Sequence, residues 1–421
     1  MLPLLTTPGQ LRRFLLVSAQ SLVGTAMGYV ALLLVAHDQL GSPWAIAIVL
    51  TATLLPSALF GPYFGKLADR RSRRSLCVTA DLLCAVAFAG IALSHNFAVT
   101  AALTFVAGCG GAIFRPASRA AIPHLAGDRA DEAAGALVTA WSAAILIGPG
   151  IGAAILLIAP VQTLLLVNAL TFALSAYVIL SLQLDGPKPP DKPWVPMTLE
   201  EALAEERFRR HSIRDGLQSA RTVPRLVLVS VTSACATYAL GFANVGEPLL
   251  ATGPLQAGDA GFSLIVAVFG VGATIGALLG SSSLRRLIGS ILAGAAVMAC
   301  IALSPTLPIA LLCFALGGIV EGISISCDQR ICTTITPPEI LGRTFGLKDA
   351  LDSGALLGAY FSGALVAAAW GPRWLFGASA VLTAVVGVGA AAAALRSRRR
   401  RTPPPPPPAP TFMAAHPSAS V

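Results

Sequence analysis

The chain has 421 residues, 55% of them apolar and only 12% charged, with a net charge of +9 and a mean hydropathy of +0.75. A soluble domain carries about 25% charged residues because water must wet its surface, so a soluble enzyme, a disordered chain and a fibre are all excluded. The bilayer is the solvent for most of this sequence.

A membrane span needs about 20 apolar residues, since the hydrocarbon core is about 30 Å thick and a helix rises about 1.5 Å per residue. Twelve such stretches are predicted along the chain. The first six cover 11–36, 43–68, 75–94, 98–122, 131–158 and 160–183. The second six cover 224–250, 259–282, 286–304, 306–335, 340–369 and 371–395. The first follows Arg12 and Arg13 and is too long for the apolar region of a cleaved signal peptide. With the N-terminus in the cytoplasm, every one of the 29 Lys and Arg except Arg373 falls on the cytoplasmic side. The positive-inside rule therefore orients the chain with both termini inside. The positive charge is read as that signal and not as a nucleic-acid surface. The 8 cysteines all lie in apolar stretches with no CxxC pair, and read as small lipid-compatible side chains.

Residues 184–223 break the pattern. Pro187, Pro189, Pro190 and Pro193 mark an extended linker, and the charged run after them reads as an amphipathic helix on the cytoplasmic surface. On either side, 1–183 and 224–395 form six-span units of similar length. The unit looks duplicated: GKLADRRSRR after span 2 is matched by GSSSLRR after span 8, and Arg115, Arg119 and Pro123 by Asp328, Arg330 and Pro337. The expected fold is all-α and integral to the membrane, with twelve transmembrane helices in two pseudo-symmetric six-helix bundles and a site between them. Residues 396–421 close the chain with five arginines facing anionic lipid and a polyproline II run from Pro403 to Pro408.

Several stretches resemble major facilitator superfamily permeases, above all the bacterial exporter branch with enterobactin-type siderophore exporters and macrolide efflux proteins. They are the opening FLLVSAQSLVGTAMGYVALLL, FRPASRAAIPHL in span 4, IGPGIGA in span 5, LLVNALTFALSAYVI in span 6 and PPEILGRTFGL entering span 11. Gly65, Asp69, Arg70, Arg73 and Arg74 match the family's signature G-x-x-x-D-R-x-x-R-R after span 2, with Ser72 where the family usually has Gly. In the family this loop meets the start of span 11, here Gly342 and Arg343. The resemblance therefore implies that Asp69 latches the cytoplasmic gate, while the arginines either join the latch or simply enforce topology. Gly148, Pro149 and Gly152 are similar to the antiporter signature G-P-x-x-G-G, although Ala153 and Thr139 replace two of its glycines. That similarity implies proton-driven export; small residues packing one helix against another is the alternative. The family also implies a monomer in the bacterial cytoplasmic membrane, driven by the proton gradient without a cofactor.

Ionisable groups within a span cost about 2.5–3.5 kcal/mol and mark function by default. Asp81 matches a carboxylate the family often carries, but Cys84 replaces its usual arginine partner, leaving pairing with loop or span 4 arginines, or proton carriage. Arg115 either meets an anionic substrate, pairs with Asp81 or caps the cytoplasmic end. Glu321 and Asp352 lie deep in spans 10 and 11, which line the central cavity in this family, and are the expected proton-coupling residues; pairing with Lys348 or Arg330 is the alternative. Gln20, Tyr29 and Asn244 supply neutral polar groups for a substrate cavity, with hydrogen bonds between helices as the alternative for Gln20 and Tyr29, and Glu247 reads as an exit-gate or interfacial residue. No metalloprotease, hydrolase or phosphate-loop motif stands out, so neither an enzyme nor direct use of ATP is expected, and no metal site. Proton-coupled export of a small organic molecule leads. Uptake by the same fold and a non-transporting scaffold or sensor are the alternatives.

Overall fold

The computed structural model describes residues 9–184, 224–336 and 341–399. The linker helix and the polyproline run fall outside the described residues. Twelve helices cross the fold: α1 (Gln10–Leu40), α2 (Pro43–Arg70), α3 (Arg73–Leu93), α4 (Phe97–Ala126), α5 (Ala130–Leu156) and α6 (Gln162–Leu180), then α7 (Pro224–Thr252), α8 (Gly258–Leu278), α9 (Leu284–Leu303), α10 (Leu307–Ile335), α11 (Leu341–Trp370) and α12 (Pro372–Arg399). All twelve contain a stretch long and apolar enough to span a bilayer. The protein is therefore a multi-pass membrane protein.

Turn chemistry places the helix ends. Gly41 closes α1 in the left-handed conformation at φ 60°, its N–H reaching the His37 carbonyl. Ser42 caps α2 ahead of Pro43, its hydroxyl accepting from the Trp44 N–H. Asn96 caps α4 by accepting from the N–H groups of Ala98 and Val99. Three boundaries differ from the sequence expectation. Pro160 keeps α6 from starting before Gln162, and α8 stops at Leu278 ahead of the Gly280–Ser283 run. Helix α12 continues to Arg399, taking in the first arginines of the basic tail.

Each half repeats one packing scheme. In the first, α1 packs on α5 and α6, α3 on α4 and α6, and α2 on α4. In the second, α7 packs on α11 and α12, α9 on α10 and α12, and α8 on α10. Adding six to each helix number converts one set of pairs into the other. Between halves, the main contacts are α2 with α11 and α5 with α8, which the same operation exchanges. The pseudo-two-fold suspected from weak sequence echoes is thus carried by the helix packing.

The core is divided unevenly along the membrane normal. On the face opposite the basic loops, one continuous apolar core runs through both halves, from Val30–Ala36 and Ala45–Leu50 to Phe242–Ala251 and Ala359–Ala367. On the basic face the halves keep separate cores. One is built around Phe14, Cys77, Ala117 and Ile179, the other around Leu226, Leu287, Ile331 and Cys332. The halves therefore share an apolar core at one face and keep separate cores at the other.

Candidate functional site

The joined face is held at the α5–α8 seam by the Gly148-Pro149 motif. Proline has no N–H, so Pro149 leaves the carbonyl of Ile145, four residues earlier, without its helical donor. That carbonyl faces α8 at Gly270, where an added Cβ would stand 2.8 Å from its oxygen. One turn on, the Ser263 hydroxyl of α8 donates to the Pro149 carbonyl at 2.6 Å. Gly148 lets α5 close on α1, since a Cβ there would lie 2.6 Å from the Val23 carbonyl oxygen. Gly152 sits beside Ser263 and Met27. The motif thus packs α5 against its own half and against the other half at once.

Beneath this closure, the halves meet in a polar cluster. Tyr29 of α1 lies within electrostatic reach of Glu247 on α7 and Tyr360 on α11, and the Tyr360 hydroxyl lies against the Asn244 side chain. Glu247 is 9% exposed and Tyr360 6%, whereas Tyr29 and Asn244 are half-buried. On the same wall the Tyr238 hydroxyl bonds the Ser362 hydroxyl at 2.7 Å, and its ring packs 5.4 Å from that of Phe242. Trp44 and Phe361 approach across the α2–α11 contact with ring centroids 6.5 Å apart. Tyr29 and Asn244, both expected in the substrate cavity, are brought together; Glu247, one turn beyond Asn244 and expected at an exit gate or interface, lies with them, and Tyr360 is the member not expected from the sequence.

Toward the basic face lies an ion cluster. Lys348 Nζ is 3.0 Å from Asp328 Oδ2 and 2.7 Å from Asp352 Oδ2, and donates to the Ser233 hydroxyl at 2.7 Å. The cluster ties α7, α10 and α11 together. Among the described residues it holds two carboxylates to one ammonium, and the second oxygen of Asp352 is buried without a hydrogen-bond partner. The Lys348–Asp352 pairing offered as an alternative is present, but Asp328 and Ser233 complete it from helices the sequence did not associate with it. Across the parting, α4 presents exposed Arg115 and Arg119 one turn apart, and Arg119 is within electrostatic reach of Asp349 on α11. One wall of the parting is therefore basic and the other acidic. Glu321 lies half-buried near the middle of α10, away from both clusters along the chain.

In the first half, Asp81 is 1% exposed and lies close to Ser175 of α6. Among the described residues, one oxygen of Asp81, the Ser175 and Ser18 hydroxyls and the Gln20 side-chain amide oxygen are buried without a hydrogen bond of good geometry. Arg74 donates to the Leu180 carbonyl and caps the end of α6. Ser72, in place of the usual glycine, caps α3 by accepting from the Ser75 N–H at 3.2 Å; its φ of −56° needs no glycine. Among the described residues, nothing lies within 4 Å of where a Cβ on Gly65 would stand. The side chains of Asp69, Arg70 and Arg343, and the surroundings of Gly342, lie outside those described, so the expected gate contact does too.

Two six-helix halves related by a pseudo-two-fold, sharing an apolar core at one face and holding buried polar groups between them, have the architecture of a membrane transporter. A model of the Major Facilitator Superfamily matches residues 14–347 and again 283–419. The chain belongs to that superfamily. It is 28% identical over 347 residues to the multidrug efflux pump Tap of Mycobacterium tuberculosis, covering 78% of this chain and 80% of that protein. It is 24% identical over 367 residues to the uncharacterized MFS-type transporter YfiS of Bacillus subtilis, covering 83% and 84%. Among solved structures, an inward-facing, unoccupied bacterial homolog of the lysosomal transporter Spinster superposes with a TM-score of 0.70 at 15% identity, covering 94% of this chain and all of that one. A peptide transporter of the POT family gives 0.72 at 15% identity, covering 92% and 95%. These structures share the fold.

Proposed function

We propose that this transporter is a secondary active exporter that moves a small organic molecule out of the bacterial cell in exchange for protons, by alternating access. The basic loops face the cytoplasm, the chain works as a monomer, and the parting between the halves is the cytoplasmic entrance. The observation that carries proton exchange is the Lys348 cluster, which places an excess carboxylate on the wall of that entrance. A carboxylate that cannot be fully neutralised by its lysine binds a proton in one state and releases it in another, once closing or wetting of the entrance changes its surroundings. Asp352 is assigned the proton because its second oxygen is unpaired. Asp81 and Glu321 are the further candidates. The efflux pump Tap is the relative that supports export, and drugs, macrolide-like natural products and siderophores are the cargo classes to screen.

Proteoliposomes with a pH-sensitive dye sealed inside provide the test. One compound from a panel of macrolides, siderophores and cationic drugs should move protons against its own movement, and Asp352→Asn should abolish this in protein that still folds. Accumulation of labelled compound by intact cells would instead mean uptake. Proton-independent flux unchanged in Asp352→Asn would reject exchange at this residue.

A further inference from the structure

The ion cluster shares out its hydrogen bonds unevenly. A lysine ammonium has three N–H donors and no acceptor. Lys348 directs them to three helices: to Asp328 Oδ2 of α10 at 3.0 Å, to Asp352 Oδ2 of its own α11 at 2.7 Å and to the Ser233 hydroxyl of α7 at 2.7 Å. The side chains of Lys348 and Asp328 are each 8% exposed, so little water takes part. Asp328 has a second neighbour, the Cys332 thiol 4.0 Å from its Oδ1. Asp352 has none: among the described residues its Oδ1 is buried without a hydrogen-bond partner. A buried acceptor thus lacks a donor beside an ammonium whose third N–H goes to a neutral hydroxyl.

An ammonium N–H bonded to a carboxylate makes the stronger contact, because both partners are charged. We infer that Ser233 is a positioning residue for proton exchange: by accepting the third N–H of Lys348 it withholds that donor from Asp352 and leaves Asp352 Oδ1 open to a proton. The inference rests on the reading of Asp352 as the proton carrier. Asp328 and Asp352 stand on α10 and α11, so Ser233 is the point at which α7 enters the cluster. When α7 moves away from α11, the freed N–H of Lys348 turns to Asp352 Oδ1. The ammonium then holds both oxygens, and the proton on Oδ1 leaves to water, which reaches Asp352 because its side chain is 22% exposed. Displacement of α7 therefore releases the proton. The other ionisable groups within electrostatic reach of Lys348 are Cys332 of α10 and Asp349 of α11, which Arg119 of α4 reaches in turn; none of these stands on α7.

Infrared titration of the purified full-length protein in lipid nanodiscs reads the protonated-carboxyl band directly, without cargo or gradient. The part of that band lost in Asp352→Asn belongs to Asp352. In Ser233→Ala its midpoint should move to lower pH by about half a unit or more, a loss of proton affinity of about threefold or more. Ser233→Thr keeps the hydroxyl and should restore the wild-type midpoint, whereas a role in packing alone would make the larger threonine the worse variant. A Ser233→Ala midpoint within about 0.2 unit of wild type, or moved to higher pH, overturns the positioning role and leaves proton carriage at Asp352 standing. A wild type with no titrating Asp352 band overturns proton carriage there, and this inference with it.

Discussion

Replacing Lys348 with methionine tests the ion cluster most directly. The side chain keeps its length and loses its charge, leaving Asp328 and Asp352 facing each other with no cation. In the native arrangement, contacts of 3.0 and 2.7 Å are each worth about 5–6 kcal/mol of attraction at an effective dielectric of about 20, before desolvation is subtracted. The net loss on removing one partner of a buried pair is about 3–5 kcal/mol. The side chains of Lys348 and Asp328 are each 8% exposed, so little water reaches Asp328 to take over. Lys348→Met should therefore lower the thermal unfolding midpoint in detergent by on the order of 10 °C. The double variant Lys348→Met, Asp328→Asn leaves only Asp352, whose side chain is 22% exposed, and should recover most of that loss. Such recovery is the coupling expected of residues in one network, about 0.5–3 kcal/mol. A Lys348→Met protein that melts within about 2 °C of wild type would refute the account. Additive losses in the double variant would do the same, by showing that the aspartates do not depend on this lysine.

Two further expectations concern the seam. Ser263→Ala removes the hydroxyl that donates to the Pro149 carbonyl at 2.6 Å, a bond worth about 0.5–1.5 kcal/mol and made only while the face is closed. Opening of that face should become about two- to ten-fold more frequent, read as faster amide exchange near the ends of α5 and α8; unchanged exchange in both helices would count against a latch at this bond. Gly148→Val puts a branched side chain where even a Cβ lies 2.6 Å from the Val23 carbonyl oxygen. Overpacking of this kind costs about 1–3 kcal/mol, so transport and thermal stability should fall together, with Gly148→Ala milder. A fully active Gly148→Val protein would mean α1 and α5 have room to part.

The spans were legible because the bilayer allows few solutions. Helix ends fell where capping and proline chemistry is local, as at Ser42-Pro43 and Gly41. The glycine-proline motif was also visible, but its mechanical reason was not. Nothing in the sequence reveals that the Ile145 carbonyl freed by Pro149 faces Gly270, a residue 125 positions later whose only local signature is a small side chain. The same limit hid the Lys348 cluster. The i, i+4 spacing of Lys348 and Asp352 is written in the chain, whereas Asp328 and Ser233 arrive through the packing of α10 and α7 on α11. For Asp81, the chain suggests an arginine partner or proton carriage; the neighbour the fold adds is Ser175, a neutral side chain on a helix that charge counting does not consult.

The two faces of the molecule close by different physics. Between helices bathed in lipid there is no hydrophobic drive to associate, because the tails are as apolar as the side chains. Parting the halves, however, exposes their facing surfaces to water and not to lipid, and the ordinary hydrophobic effect returns. The face opposite the basic loops uses that effect, with one core running through both halves and with Ser263, Trp44 and Phe361 fixing its register. At the basic face each half buries its own core separately, so little apolar surface is left to draw the halves together. What faces across the parting is charge: Arg115 and Arg119 on one wall, Asp349 and Asp352 on the other. On the proposed exchange cycle, closure there comes from pairing those walls, and neutralising one acidic group removes one of the charges that would attract the arginines. Under that proposal the cycle would couple at the electrostatic face, where one charge changes the balance, while the shared apolar core acts as the seal at the other.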